Sequence, residues 1–205
     1  MQQATIQVTQ PRLFNLGAVL IILSYGILLV LPLLVSFVAI SVIPRGLWTA
    51  LIPILTLAAT AWFVPLGQGN RFIAARFKSF TSRSTEKDGC LVQLSLAPRI
   101  RRGLRATIED ADDFGFLTFG EESFSFDGDS VQLSVPYTNI RRVSQENVGL
   151  RGRFVCGSRI TVEIAGIPNV ELLQFAERSS AFVPQSKRIT RALLEKFQKA
   201  AKAGI

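Results

Sequence analysis

Glu109, Asp110, Asp112 and Asp113 put four carboxylates close together, the densest set of hard oxygen ligands in the chain. Counted from Asp110, Asp112 falls at position three, Gly115 at six and Glu121 at twelve, offsets that a calcium loop uses. Phe114 stands at position five, where an oxygen ligand belongs, and a strand pattern follows where a helix should. The cluster therefore reads as a solvated turn whose acids pair with the arginines before it, and no metal is expected. The chain has no histidine, the usual general base near neutral pH. Cys90 and Cys156 form no CxxC pair and lie among apolar residues without a base, so they read as reduced thiols. Gly149 to Arg153 (GLRGR) lacks P-loop spacing, and no serine sits on a glycine-rich elbow. The expectation is a protein that is not an enzyme and needs no cofactor.

The remaining candidates are cations. Arg99, Arg101, Arg102 and Arg105, joined by Arg141 and Arg142, form the candidate surface for an anionic lipid headgroup or a protein partner. The chain carries 23 Lys and Arg against 15 Asp and Glu, unevenly placed. Residues 71–105 hold nine basic and two acidic side chains, 106–136 eight acidic and none basic, and 137–205 twelve basic and five acidic. Without a helix-turn-helix, zinc or aromatic stacking motif this balance does not point to nucleic acid. Near a lipid surface each cation is worth roughly 1 kcal/mol.

What would position these groups? Between Arg12 and Arg71 the only charged residue is Arg45. Uncharged apolar runs of about 20 residues read as membrane spans, which predicts a transmembrane hairpin over 13–66, with spans 13–43 and 47–66. The uncharged first eleven residues and the long apolar core do not fit a cleaved signal peptide. Ser24, Tyr25, Ser36, Thr56 and Thr60 are too sparse for a substrate pathway, so the hairpin reads as an anchor. Residues 1–12 read as a tail and 67–88 as a basic juxtamembrane linker. The cations after the second span place both termini in the cytoplasm.

Residues 89–205 suffice for one compact domain. Leu91, Val92, Leu94 and Leu96 predict a strand. Leu96, Ile100, Leu104, Ile108 and Ala111 fall at helical steps, with a strand through Leu104, Ala106 and Ile108 as the alternative. From Phe114 the period becomes two: Phe124 and Phe126, then Asp127-Gly128-Asp129 as a tight turn, then Val131, Leu133 and Val135, a hairpin. Further strands are predicted at Ile140 to Val143, Phe154 to Cys156, Ile160 to Ile164 and Val170 to Phe175. A closing helix spans 186–202, with Ser186 as N-cap and Ile189, Leu193, Phe197 and Ala200 as its apolar stripe.

Gly115, Leu117, Thr118, Phe126, Pro136 and Ile140, in GFLTFGEESFSFDGD and VPYTNIRRV, resemble the core pattern of the pleckstrin-homology-like superfold in its GRAM and bacterial forms. The resemblance runs from about 89 to 201. It implies an antiparallel barrel or split sheet closed by a C-terminal amphipathic helix. Pro98 to Asp113 has no counterpart, and the basic loop of phosphoinositide-binding members is missing, so that specificity is not implied. The combined expectation is an α+β membrane protein, multi-pass in a bacterial inner (plasma) membrane. Its domain would scaffold or assemble a protein partner at the cytoplasmic face. The alternative is a domain that senses or orients on anionic lipid through its basic face.

Overall fold

The computed structural model describes residues 4–9, 30, 32–42, 51–56, 59, 71, 74–75, 89–99, 111–146 and 159–203. Eight strands, β1 (Thr5–Val8), β2 (Cys90–Ala97), β3 (Asp113–Phe119), β4 (Ser123–Gly128), β5 (Val131–Pro136), β6 (Ile140–Glu146), β7 (Arg159–Ile164) and β8 (Leu172–Glu177), form one antiparallel sheet. Its order is β1-β5-β4-β3-β2-β8-β7-β6. Helix α1 (Val183–Ala203) follows β8 and lies against β6, β7 and β8.

Alternation explains the curl. Val92, Leu94 and Leu96 of β2, Leu117 of β3, Phe124 and Phe126 of β4, and Val162 of β7 all point into one core. Leu193, Phe197 and Ala200 of α1 complete it from the open side, so the sheet must wrap around them. Phe197 stacks on Phe175 at 5.4 Å and meets Phe124 and Phe119 edge-on at 5.2 and 4.9 Å. The expected hairpin is β4–β5, with Phe126 opposite Leu133. Helix α1 begins at Val183, earlier than the expected 186, because Pro184 has a fixed φ suited to a first turn. Ser186 therefore lies inside the helix and is buried.

The membrane expectation requires correction. Among the described residues no helix is long and apolar enough to cross a membrane. Within the described 32–42 helical residues the Ser36 hydroxyl meets that of Thr56 in the 51–56 segment at 2.6 Å. Absence of charge measured hydropathy; it did not establish a continuous helix. The two-span fold class and the multi-pass inner-membrane location fall with it, and the observed architecture is the curled sheet with its C-terminal helix. The rest of spans 13–43 and 47–66 lies outside the described residues, as do the Phe154 to Cys156 strand and the helix-or-strand question over 100–110.

Thr5–Val8, inside the expected tail, is strand β1. It pairs with β5 in the register Thr5–Ser134, Ile6–Leu133, Gln7–Gln132 and Val8–Val131. Ala4 is buried in the core, so this strand belongs to the domain built by residues more than eighty positions later.

Candidate functional site

The acidic cluster is structural. Asp112 and Asp113 are 1% and 2% exposed, not solvated. Asp112 Oδ2 accepts the Leu96 N–H at 2.8 Å, and the Asp112 N–H donates to the Leu94 carbonyl, which holds the incoming chain against β2. Asp113 Oδ2 accepts the N–H groups of Ser130 (2.8 Å) and Val131 (2.6 Å), clamping the β4–β5 turn. Glu109 and Asp110 lie outside the described residues. Among the described residues no group of three or more His, Cys, Asp or Glu is arranged to hold a metal.

Burial pushes the Asp113 carboxyl up to about 6, against the backbone N–H groups of Ser130, Val131 and Phe114 that pull it down. The native state then takes up this proton before the unfolded chain does, near ~3.9. Its stabilising contribution is complete below the unfolded value and is lost as pH rises through about 6. The full difference is on the order of 3 kcal/mol. Asp113→Asn keeps an oxygen for both N–H groups and removes the titration. In urea melts from pH 4 to 7, the wild type should lose up to about 3 kcal/mol relative to this variant. A constant difference across that range contradicts the assignment.

Of the six candidate arginines, Arg101, Arg102 and Arg105 lie outside the described residues. Arg99 Nε sits 3.9 Å from Asp112 Oδ2, and its side chain is 35% exposed. Arg141 and Arg142 are exposed on β6, with Arg142 4.0 Å from Glu163. Register runs Ala97–Leu172–Glu163–Arg142 across four strands. Ala97, two residues before Arg99, and Arg142 thus lie at one end of the sheet but three strand spacings, about 14 Å, apart along it. The structure joins Arg141 to Arg142 and leaves Arg99 separate.

Burial raises the Cys90 thiol to about 11, and its Sγ lies 3.7 Å from the Ser179 hydroxyl. Cys156 is outside the described residues. Sequence reasoning did not find the polar seam at the β8–α1 junction. Glu177 accepts from the Ser179 and Ser180 hydroxyls (each 2.7 Å) and the Ser180 N–H (2.6 Å), while Arg178 reaches the Gln93 amide oxygen. These bonds fix the angle at which α1 leaves the sheet. The period-two reading of β2 hid the seam, because Gln93 and Ser95 are buried on the face that alternation assigns to solvent.

The two sheet edges differ. β6 carries a register irregularity between Ile140 and Arg142, exposes Arg141, Arg142 and Glu146, and has α1 against it. Bulges, charges and a covering helix are devices that keep an edge from pairing. β1 has no charge, no proline and no bulge. The Thr9 N–H bonds the Ser130 carbonyl, so Thr5, Gln7 and Thr9 spend their backbone groups on β5. Ile6 and Val8 then direct theirs to the edge that no strand among the described residues pairs. Beside them lies a shallow depression of about 340 Å³, lined by Thr5, Gln7, Ser125, Asp127, Gln132 and Ser134 among others.

No protein-family model matches the chain, and no curated protein matches it.

Proposed function

We propose that the chain is a non-enzymatic interaction module of the pleckstrin-homology-like kind that holds a protein partner, taking an extended segment by strand addition at the β1 edge. The supporting observation is that edge: uncharged, unbulged, with the Ile6 and Val8 backbone groups directed outward and a depression alongside. In strand addition the backbone bonds supply affinity and adjacent pockets read alternate side chains. The depression over β1, β5 and β4 is lined by Thr5, Ser125, Ser134, Gln7, Gln132 and Asp127 together with Phe126 and Leu133, which suits small side chains on every second residue of the partner.

Engagement of anionic headgroups through Arg99, Arg101, Arg102, Arg105, Arg141 and Arg142 is the less supported reading. Arg99 is tied to Asp112 and Arg142 is paired with Glu163.

A photo-crosslinking residue in place of Gln7 in the full chain separates the two. Val8→Pro removes only an outward N–H and leaves the β5 ladder intact, since proline is tolerated at an edge. The expected result is a protein adduct in the parent and in Val8→Thr that disappears in Val8→Pro, with thermal melting unchanged. An adduct insensitive to Val8→Pro, or lipid adducts alone, refutes strand addition at this edge.

A further inference from the structure

The solvent face of α1 is strongly basic. Lys187, Arg188, Arg191, Lys196, Lys199 and Lys202 are exposed, against the single acid Glu195. At 3.6 residues per turn, five of them, Lys187, Arg188, Arg191, Lys199 and Lys202, fall within one arc of about 120°, opposite the buried Leu193, Phe197 and Ala200. The arc is about 22 Å long. Lys196 stands apart, its Nζ 5.7 Å from the Phe119 ring.

Among the described residues none of the five has an ion-pair partner. Their spacing works against the helix. Lys187–Arg191, Arg188–Arg191, Lys196–Lys199 and Lys199–Lys202 are like-charge neighbours at three or four positions, while only Arg191–Glu195 and Glu195–Lys199 attract. Such repulsion is relieved when an anionic partner covers the row.

We propose that this arc is a docking face for an acidic segment of a partner protein. A lipid surface fits less well: among the described side chains of α1 no large apolar one is exposed to enter an interface. Glu195, central in the row, repels a continuous line of phosphates. A protein segment can set a lysine opposite it. The face is distinct from the β1 edge, so the two proposals fail separately.

The test uses the full chain and two labelled helical peptides of Glu and Ala, about 15 residues long to match the arc. One of them carries a central Lys in place of Glu. Fluorescence anisotropy should show binding that weakens with salt and falls at least about tenfold in the triple variant Arg188→Glu, Arg191→Glu, Lys199→Glu, which keeps its melting temperature. The central-Lys peptide should bind the parent about threefold more tightly, and Glu195→Lys should invert that preference. Undiminished binding by the triple variant overturns the proposal, as does failure of the inversion. Tighter binding to single-stranded DNA, or to phosphatidylcholine vesicles with about a third phosphatidylserine, also overturns it.

Discussion

Phe197→Ala is expected to lower the unfolding free energy by about 4 kcal/mol, a drop of roughly 15 °C in melting temperature for a domain of this size. Phe197 is fully buried and is the one residue of α1 whose ring touches Phe119, Phe124 and Phe175 together. Truncation removes the ring's transfer free energy and leaves a cavity that three rigid aromatic neighbours cannot collapse to fill. It also loosens the helix that closes the open side of the sheet. Leu194→Ala, on a half-buried position one residue away from the stripe, should cost about 1 kcal/mol or less. Chemical denaturation of the two variants checks this. Equal losses would mean that α1 is held by its seam at Glu177 and Arg178 and not by its aromatic anchor.

Gly115→Ala should be nearly as damaging, more than about 3 kcal/mol, through overlap with backbone. Gly115 lies opposite Gly128 in the β3–β4 ladder, and a Cβ there would stand 2.5 Å from the Gly128 Cα, closer still to the Asp127 carbonyl oxygen. Neither atom is the free end of a side chain, so the strands themselves must part. They part beside the turn that Asp113 clamps, which couples this position to the β5 strand supporting β1. Gly120→Ala is the control, since its Cβ would meet only the Ser123 carbonyl at 3.2 Å. Thermal melts should separate the two by more than about 8 °C. A mild Gly115→Ala would show that the close approach of β3 and β4 is not required.

The local parts of this fold were legible. Phe124, Phe126, Val131, Leu133 and Val135 alternate on either side of a turn, and hairpins form between chain neighbours, so β4–β5 follows from spacing alone. The stripe Ile189, Leu193, Phe197 and Ala200 likewise announced α1. The non-local parts were not. Nothing in Thr5–Val8 names Ser134 and Val131 as partners, because the pairing is made across more than a hundred residues. Asp112 and Asp113 looked like a solvated acidic turn, since composition cannot show that backbone N–H groups from Leu96, Ser130 and Val131 wait for them. The apolar stretch before Asn70 misled in another way: freedom from charge was read as a pair of continuous spanning helices, which the described residues do not contain.

The candidate surface shows the same division. Charge picked out Arg141 and Arg142, which are exposed, and it anticipated an acid of the 109–113 cluster beside a preceding arginine, seen as Asp112 and Arg99 at 3.9 Å. It also passed over the edge strand, whose functional groups are backbone N–H and C=O and therefore leave no residue-type signature.

The central claim is that the β1 edge is open and ready to accept a strand, and residue-resolved amide hydrogen exchange on the full chain tests it most directly. The account predicts alternation in the isolated protein: Gln7 and Thr9 amides protected by β5, Ile6 and Val8 amides exchanging at nearly the unprotected rate. Protection of Ile6 and Val8 as strong as that of their neighbours would mean the edge is already covered, and would contradict the account.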